Sequence, residues 1–173
     1  RDDEIEEIMN ICDHVVFNSF NQWQKYQNLA KQTSTSCGIR INPECSTQIG
    51  HEIYDPCAKF SRMGVTLENF KEELLEGIEG LHFHTLCEQN SDDLITTIRA
   101  VEEKFGKYLG QMKWLNFGGG HHITRKDYDL EKLIKIINEI KEKYQVQRST
   151  HNGRSYARVR YSLHDKSSER KIL

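Results

Sequence analysis

Apolar residues recur at helical spacing in several stretches of the chain, with short unbroken apolar runs between them. Ile5, Ile8, Met9 and Cys12 fall on one helical face over 4–12, and Asp2 and Asp3 lie at the positive end of that helix. The run His14-Val15-Val16-Phe17-Asn18 is continuous, apolar and rich in β formers, the pattern of a buried parallel strand. Ser19 is placed to cap a helix carrying Phe20, Trp23, Tyr26, Leu29 and Ala30 on one face, and Cys37 to Ile41 reads as a second strand ended by Asn42-Pro43. From Glu44 to Gly64 there is no clear period, only Gly, Pro and small polar residues, so a long loop is expected. A helix over Leu67–Leu75 and a strand over Ile78–Thr85 follow. Asp92 and Asp93 open a long helix bearing Leu94, Ile95, Ile98, Val101 and Phe105, and a strand over Lys113–Phe117 runs into three glycines. Leu133, Ile134, Ile137 and Ile140 predict a last helix over Leu130–Lys143, with a fifth strand over 144–147.

Short apolar strands alternating with helices require a parallel sheet built of right-handed crossovers, so the class is α/β. Strands separated by roughly 20 to 40 residues suit a (β/α) barrel or a doubly wound sheet. A whole barrel takes about 250 residues, and a chain of 173 residues supplies only part of one, an open arc with helices outside. Hydrophobic residues at 36% and charged residues at 29% exclude a disordered chain, collagen and a coiled coil. A net charge of −2 offers no electrostatic case for nucleic acid or an acidic membrane surface. No apolar run is long enough to span a bilayer and none has the form of a signal peptide, so a cytoplasmic protein is expected. The five cysteines, at 12, 37, 45, 57 and 87, are odd in number and lack a C-x-x-C pair, which reads as reduced thiols. Arg1 stands where an initiator Met would, as expected of a piece of a longer chain. The stretch 148–173 carries Lys or Arg at 148, 154, 158, 160, 166, 170 and 171 against acids at 165 and 169, with neither a helical stripe nor a strand pattern. It reads as a divergent basic tail.

Three places carry chemistry. Gly118-Gly119-Gly120 comes straight off a strand, where consecutive glycines let backbone N–H groups approach an anion; a tight turn without a ligand fits equally. Strand alternation sends His82 and His84 to one side. They could hold a metal with His121 or His122 in a hydrolase, or one imidazole could stack on a flat aromatic cofactor whose phosphate sits at the glycines. Either alone is also accounted for as a satisfied core histidine. Arg40, between apolar neighbours in a strand, needs an acid or an anionic oxygen, met by a cofactor or by a structural ion pair. Arg62 in the long loop reads as an exposed charge.

Gly-Ile-Arg-Ile-Asn-Pro-Glu (38–44), Ser-Arg-Met-Gly (61–64), Gly-Leu-His-Phe-His-Thr-Leu-Cys-Glu (80–88) and Gly-Gln-Met-Lys-Trp-Leu-Asn-Phe-Gly-Gly-Gly-His-His-Ile-Thr (110–124) together resemble, in order, the carboxynorspermidine (carboxyspermidine) decarboxylases. These belong with the alanine-racemase-fold decarboxylases that use pyridoxal 5'-phosphate. The resemblance covers 1–147 and implies the central part of a TIM-type (β/α) barrel. It further implies decarboxylation of a carboxypolyamine to norspermidine or spermidine, and a homodimer in the full-length parent. By the same resemblance His84 is the imidazole that stacks on the pyridine ring, and Gly118, Gly119 and Gly120 form the phosphate loop. Arg40 lies near the ring oxygen and Cys87 sits close to the phosphate.

Two elements of the family pattern do not appear. The Schiff-base lysine belongs to an early strand upstream of anything matching Arg1, and the Glu-Pro-Gly-Glu-Ala motif whose first Glu pairs with the pyridine nitrogen has no counterpart after Tyr144-Gln145-Val146-Gln147. No catalytic residue is therefore assigned in this chain. It is expected to be inactive alone, with a non-catalytic cofactor- or phosphate-binding relic as the alternative and a metal-dependent hydrolase using His82, His84, His121 and His122 as a third reading. The tail after 147 reads as a frame change or a truncation.

Overall fold

The computed structural model describes residues 3–48 and 55–144. Four parallel strands, β1 (His14–Phe17), β2 (Ser36–Arg40), β3 (Ile78–His82) and β4 (Trp114–Asn116), lie in the order β1-β2-β3-β4. Each strand pairs with its sequence neighbour and the order does not reverse among the described strands, as in an arc of a barrel and not at the switch point of a doubly wound sheet. The helices are α1 (Ile5–Ile11), α2 (Phe20–Ala30), α3 (Ser91–Leu109) and α4 (Leu130–Tyr144).

Local chemistry sets most boundaries. Ser19 caps α2, its hydroxyl accepting from the Gln22 N–H at 3.3 Å. Asn90 and Asp93 make a reciprocal capping box at the start of α3. The faces of the sheet then divide by strand alternation. Ile39 and Leu81, at 0% and 1% exposure, join Leu94, Ile98, Val101, Phe105 and Ile140 in the core beneath the helices. Arg40, His82 and Asn116, register partners in neighbouring strands, therefore share the opposite face.

Three expectations are corrected. Residues 67–75 form no α-helix but two 3-10 turns, Leu67–Asn69 and Glu72–Leu74. So short a stretch has little helical stability of its own. Tertiary packing decides it: Phe70 leaves the first turn extended and packs on Phe20, Phe105 and Tyr108. The third strand stops at His82, three residues early, because Phe83 to Leu86 turn under the glycine segment. Tyr144, expected to begin a strand, is the last residue of α4; the rest of that strand, and the tail from 148, lie outside the described residues. In the long loop, Val65 returns to bridge Ile41 in parallel, flanking the end of β2.

Candidate active site

One row below the site, Trp114 lies flat over two glycines. A Cβ on Gly38 would stand 2.4 Å from its indole, and one on Gly80 would stand 2.1 Å from it. The ring thus reaches from β4 across β3 and β2 to meet His14 of β1 edge-on, with centroids 5.2 Å apart. Its Nε1 donates to Ser36 Oγ at 2.8 Å, and Ser36 donates to Glu79 Oε2 at 2.6 Å. Burial pushes the Glu79 carboxyl up, but its hydrogen bonds from Lys113 and Ser36 outweigh this and leave it below its ordinary value.

Two residues further along each strand comes the row Arg40, His82 and Asn116. Among the described residues, the Arg40 guanidinium has only the His84 carbonyl at 3.4 Å and the Met63 sulfur at 3.5 Å as hydrogen-bond partners. That is a half-buried cation with no carboxylate opposite it among those residues. Among the described residues, His82 Nδ1 is buried with no hydrogen-bond partner. Burial, then the neighbouring Arg40 charge, pulls the His82 imidazole down to about 4, so it is neutral at physiological pH. The rings of His82 and His84 stand 6.4 Å apart.

Above this row sits the glycine segment. Gly118 and Gly120 take φ of +76° and +83°, and a Cβ at Gly118 would fall 2.5 Å from the Phe83 carbonyl oxygen. Asn116 Oδ1 accepts from the Gly118 N–H at 2.8 Å, and the Gly119 N–H donates to His84 Nδ1 at 3.2 Å. The imidazole and the loop are thereby joined directly, and the bond requires His84 Nδ1 to be unprotonated. Burial and then Arg40 lower the His84 pKa in the same sense.

The structure thus brings Arg40, His84 and Gly118 to Gly120 together at the carboxyl ends of β2, β3 and β4. Cys87 is exposed, with its backbone N against Gly120. Arg62 is exposed; its carbonyl accepts from Asn18 Nδ2 at 2.8 Å, tying the long loop to the end of β1. His121 is held by the Tyr128 hydroxyl at 2.9 Å, and the His122 backbone by Gln89 at 3.3 Å. Among the described residues no three His, Cys, Asp or Glu side chains converge to hold a metal ion, so the hydrolase reading has no ligand set there. Asn116 escaped the sequence reading; its position directly before Phe117-Gly118, where a side-chain oxygen can bond the turn, was the available signal.

No protein-family model matches the chain. Over 147 residues it is 48% identical to the carboxynorspermidine/carboxyspermidine decarboxylase of Campylobacter jejuni, a match covering 85% of this chain and 38% of the relative. The chain is a homologue of part of that decarboxylase. It is also 38% identical over 144 residues to the carboxyaminopropylagmatine decarboxylase of a Synechocystis species, of which it covers 37%. The solved structure of the Campylobacter jejuni carboxynorspermidine decarboxylase, complexed with norspermidine, matches with a TM-score of 0.75 at 46% identity, over 85% of this chain and 36% of that one. The arginine decarboxylase of Paramecium bursaria Chlorella virus matches at 0.50 and 19% identity, over 78% of this chain and 37% of that one, a likeness of fold alone. The four-stranded arc is accordingly part of an alanine-racemase-type (β/α) barrel, and the chain spans well under half the length of these decarboxylases.

Proposed function

We propose that this chain supplies the cofactor-cradling segment of a pyridoxal-phosphate-dependent decarboxylase. That enzyme releases carbon dioxide from carboxynorspermidine or carboxyspermidine to leave norspermidine or spermidine, acting in polyamine biosynthesis as a cytoplasmic homodimer. The observation that carries the reading is the bond from Gly119 N–H to His84 Nδ1, which fixes a flat imidazole beside a glycine turn at the strand ends. The donor set fits such a cofactor. The turn at Gly118 to Gly120, whose Gly118 and Gly119 N–H groups are spent on Asn116 and His84, would lie beside its phosphate with the Gly120 N–H and the nearby Cys87 backbone toward it, His84 would face its ring, and Arg40 its ring oxygen. The half-buried Arg40 and the His82 Nδ1, which has no partner among the described residues, both favour a polar ligand. When bound, the cofactor would serve as the sink for the electron pair left by the departing carboxylate. The segment's own residues bind it, orient it and keep His84 neutral against it.

Titrating the purified chain with pyridoxal 5'-phosphate tests the reading. Binding that inorganic phosphate displaces, and that His84→Ala weakens at least tenfold, is the expected result. Binding unaffected by either would overturn it.

A further inference from the structure

We propose that Gln89 is a positioning residue: its side chain clips the long loop to the chain reversal that aims the Cys87 N–H at the glycine turn, so that an anion at the turn and the seating of Thr47 and Gln48 support each other. This role rests on the cofactor reading above and deepens it. The chain doubles back after Cys87 at Glu88, whose φ of +55° lies in the left-handed region that few side chains adopt. The reversal brings Gln89 Oε1 to the Cys87 N–H at 3.4 Å, and the same oxygen accepts from Gln48 Nε2 at 2.5 Å. Gln89 Nε2 donates to the Thr47 carbonyl at 2.7 Å, the Thr47 hydroxyl at 2.8 Å and Asp93 Oδ1 at 3.1 Å. Turned end for end, the amide would set its NH2 against two donors and its oxygen against a carbonyl and a carboxylate, so its neighbours fix its orientation. The Gln89 backbone holds the far side of the turn. Its N–H donates to the Gly120 carbonyl at 3.0 Å, and its carbonyl accepts from the His122 N–H at 3.3 Å. A left-handed residue is strained, and Cys87 and Glu88 are both exposed, so the reversal depends on what Gln89 grips. The short bonds to Thr47 and Gln48 hold it, and with it the direction of the Cys87 N–H. That N–H is only loosely engaged and lies against the turn: a Cβ on Gly120 would stand 2.9 Å from its nitrogen. An anion at the turn needs the reversal formed, and so does the loop clip; each therefore favours the other by the same factor.

The probes are inorganic phosphate and pyridoxamine 5'-phosphate, neither of which needs a lysine. Gln89→Met, close in size but without the amide, should weaken both about tenfold, the scale of one hydrogen bond to a charged ligand. Ser19→Ala, which loosens α2 and touches none of these groups, should bind as wild type does, separating positioning from general loss of stability. In wild type either probe should slow hydrogen exchange at the Thr47 and Gln48 amides severalfold, and Gln89→Met should remove that effect. The exchange measurement on wild type decides alone where the variant does not fold. Equal affinity of wild type and Gln89→Met, or exchange at 47–48 that ignores a bound probe, overturns the role of Gln89 and leaves the cofactor reading standing. Failure of wild type to bind either probe overturns that reading and this inference with it.

Discussion

Gly120 shows how little freedom the site leaves at single residues. Its φ of +83° disfavours any L side chain, and an added Cβ would lie 2.0 Å from the Leu86 carbonyl oxygen, a backbone atom that cannot swing aside. Gly120→Ala should cost roughly 2–4 kcal/mol in denaturant unfolding, and it should abolish binding of phosphorylated pyridines even in the molecules that remain folded. Unchanged stability and affinity would mean that the segment is looser than its contacts imply. At this scale much was legible beforehand. Alternation alone put His82 and His84 on one side, and the run of glycines marked a tight turn. Hidden were the partners: that Gly119 would donate to His84, or that Asn116 would hold Gly118, depends on which strands are neighbours, and periodicity carries no such information.

Among the elements, α2 has the simplest determinants. Ser19 accepts from the Gln22 N–H, and Trp23 in the next turn is buried with its Nε1 donating to the Leu74 carbonyl at 3.1 Å. Ser19→Ala should therefore lower stability by about 1 kcal/mol with no change in ligand affinity, measured by urea unfolding against a binding titration. An effect on affinity equal to that on stability would instead place the cap within the site. The four helices and the first four strands could be read from apolar spacing and capping residues, with errors at their ends. The 3-10 segment could not, since Phe70 takes its direction from Phe20, Phe105 and Tyr108, which are distant in sequence. The sheet's glycines were equally opaque. Gly38 and Gly80 look like weak points in strands until the indole that covers them is known.

For the molecule as a whole, the buried histidines set an acid limit. His82 and His121 are drawn from 6.5 to about 4, in both cases first by burial and then by a neighbouring charge, Arg40 for His82 and His84 for His121. The unfolded chain thus takes up protons before the folded one does. Stability from these groups is complete above about pH 6.5, falls through the window down to about pH 4, and is fully lost below it. The melting temperature should drop steadily between those limits, and the slope should shrink in His82→Gln. A flat profile in wild type would contradict this. A second expectation concerns turnover. If the imine lysine and the pyridine-nitrogen glutamate lie outside these 173 residues, as the family resemblance implies, the chain supplied with pyridoxal phosphate and carboxynorspermidine should release carbon dioxide no faster than free cofactor. Faster release would require a surface lysine to have taken over.

The tryptophan that spans the sheet has a further use. The chain has two tryptophans, and Trp23 is buried against Phe17 and the 3-10 segment while Trp114 lies one row beneath Arg40 and His82. A pyridine ring seated on that row would absorb where indole emits. Trp114 would then be a native optical sensor beneath that row, dimming as the ligand settles while Trp23 serves as an internal reference, so occupancy could be followed without a label and without catalysis.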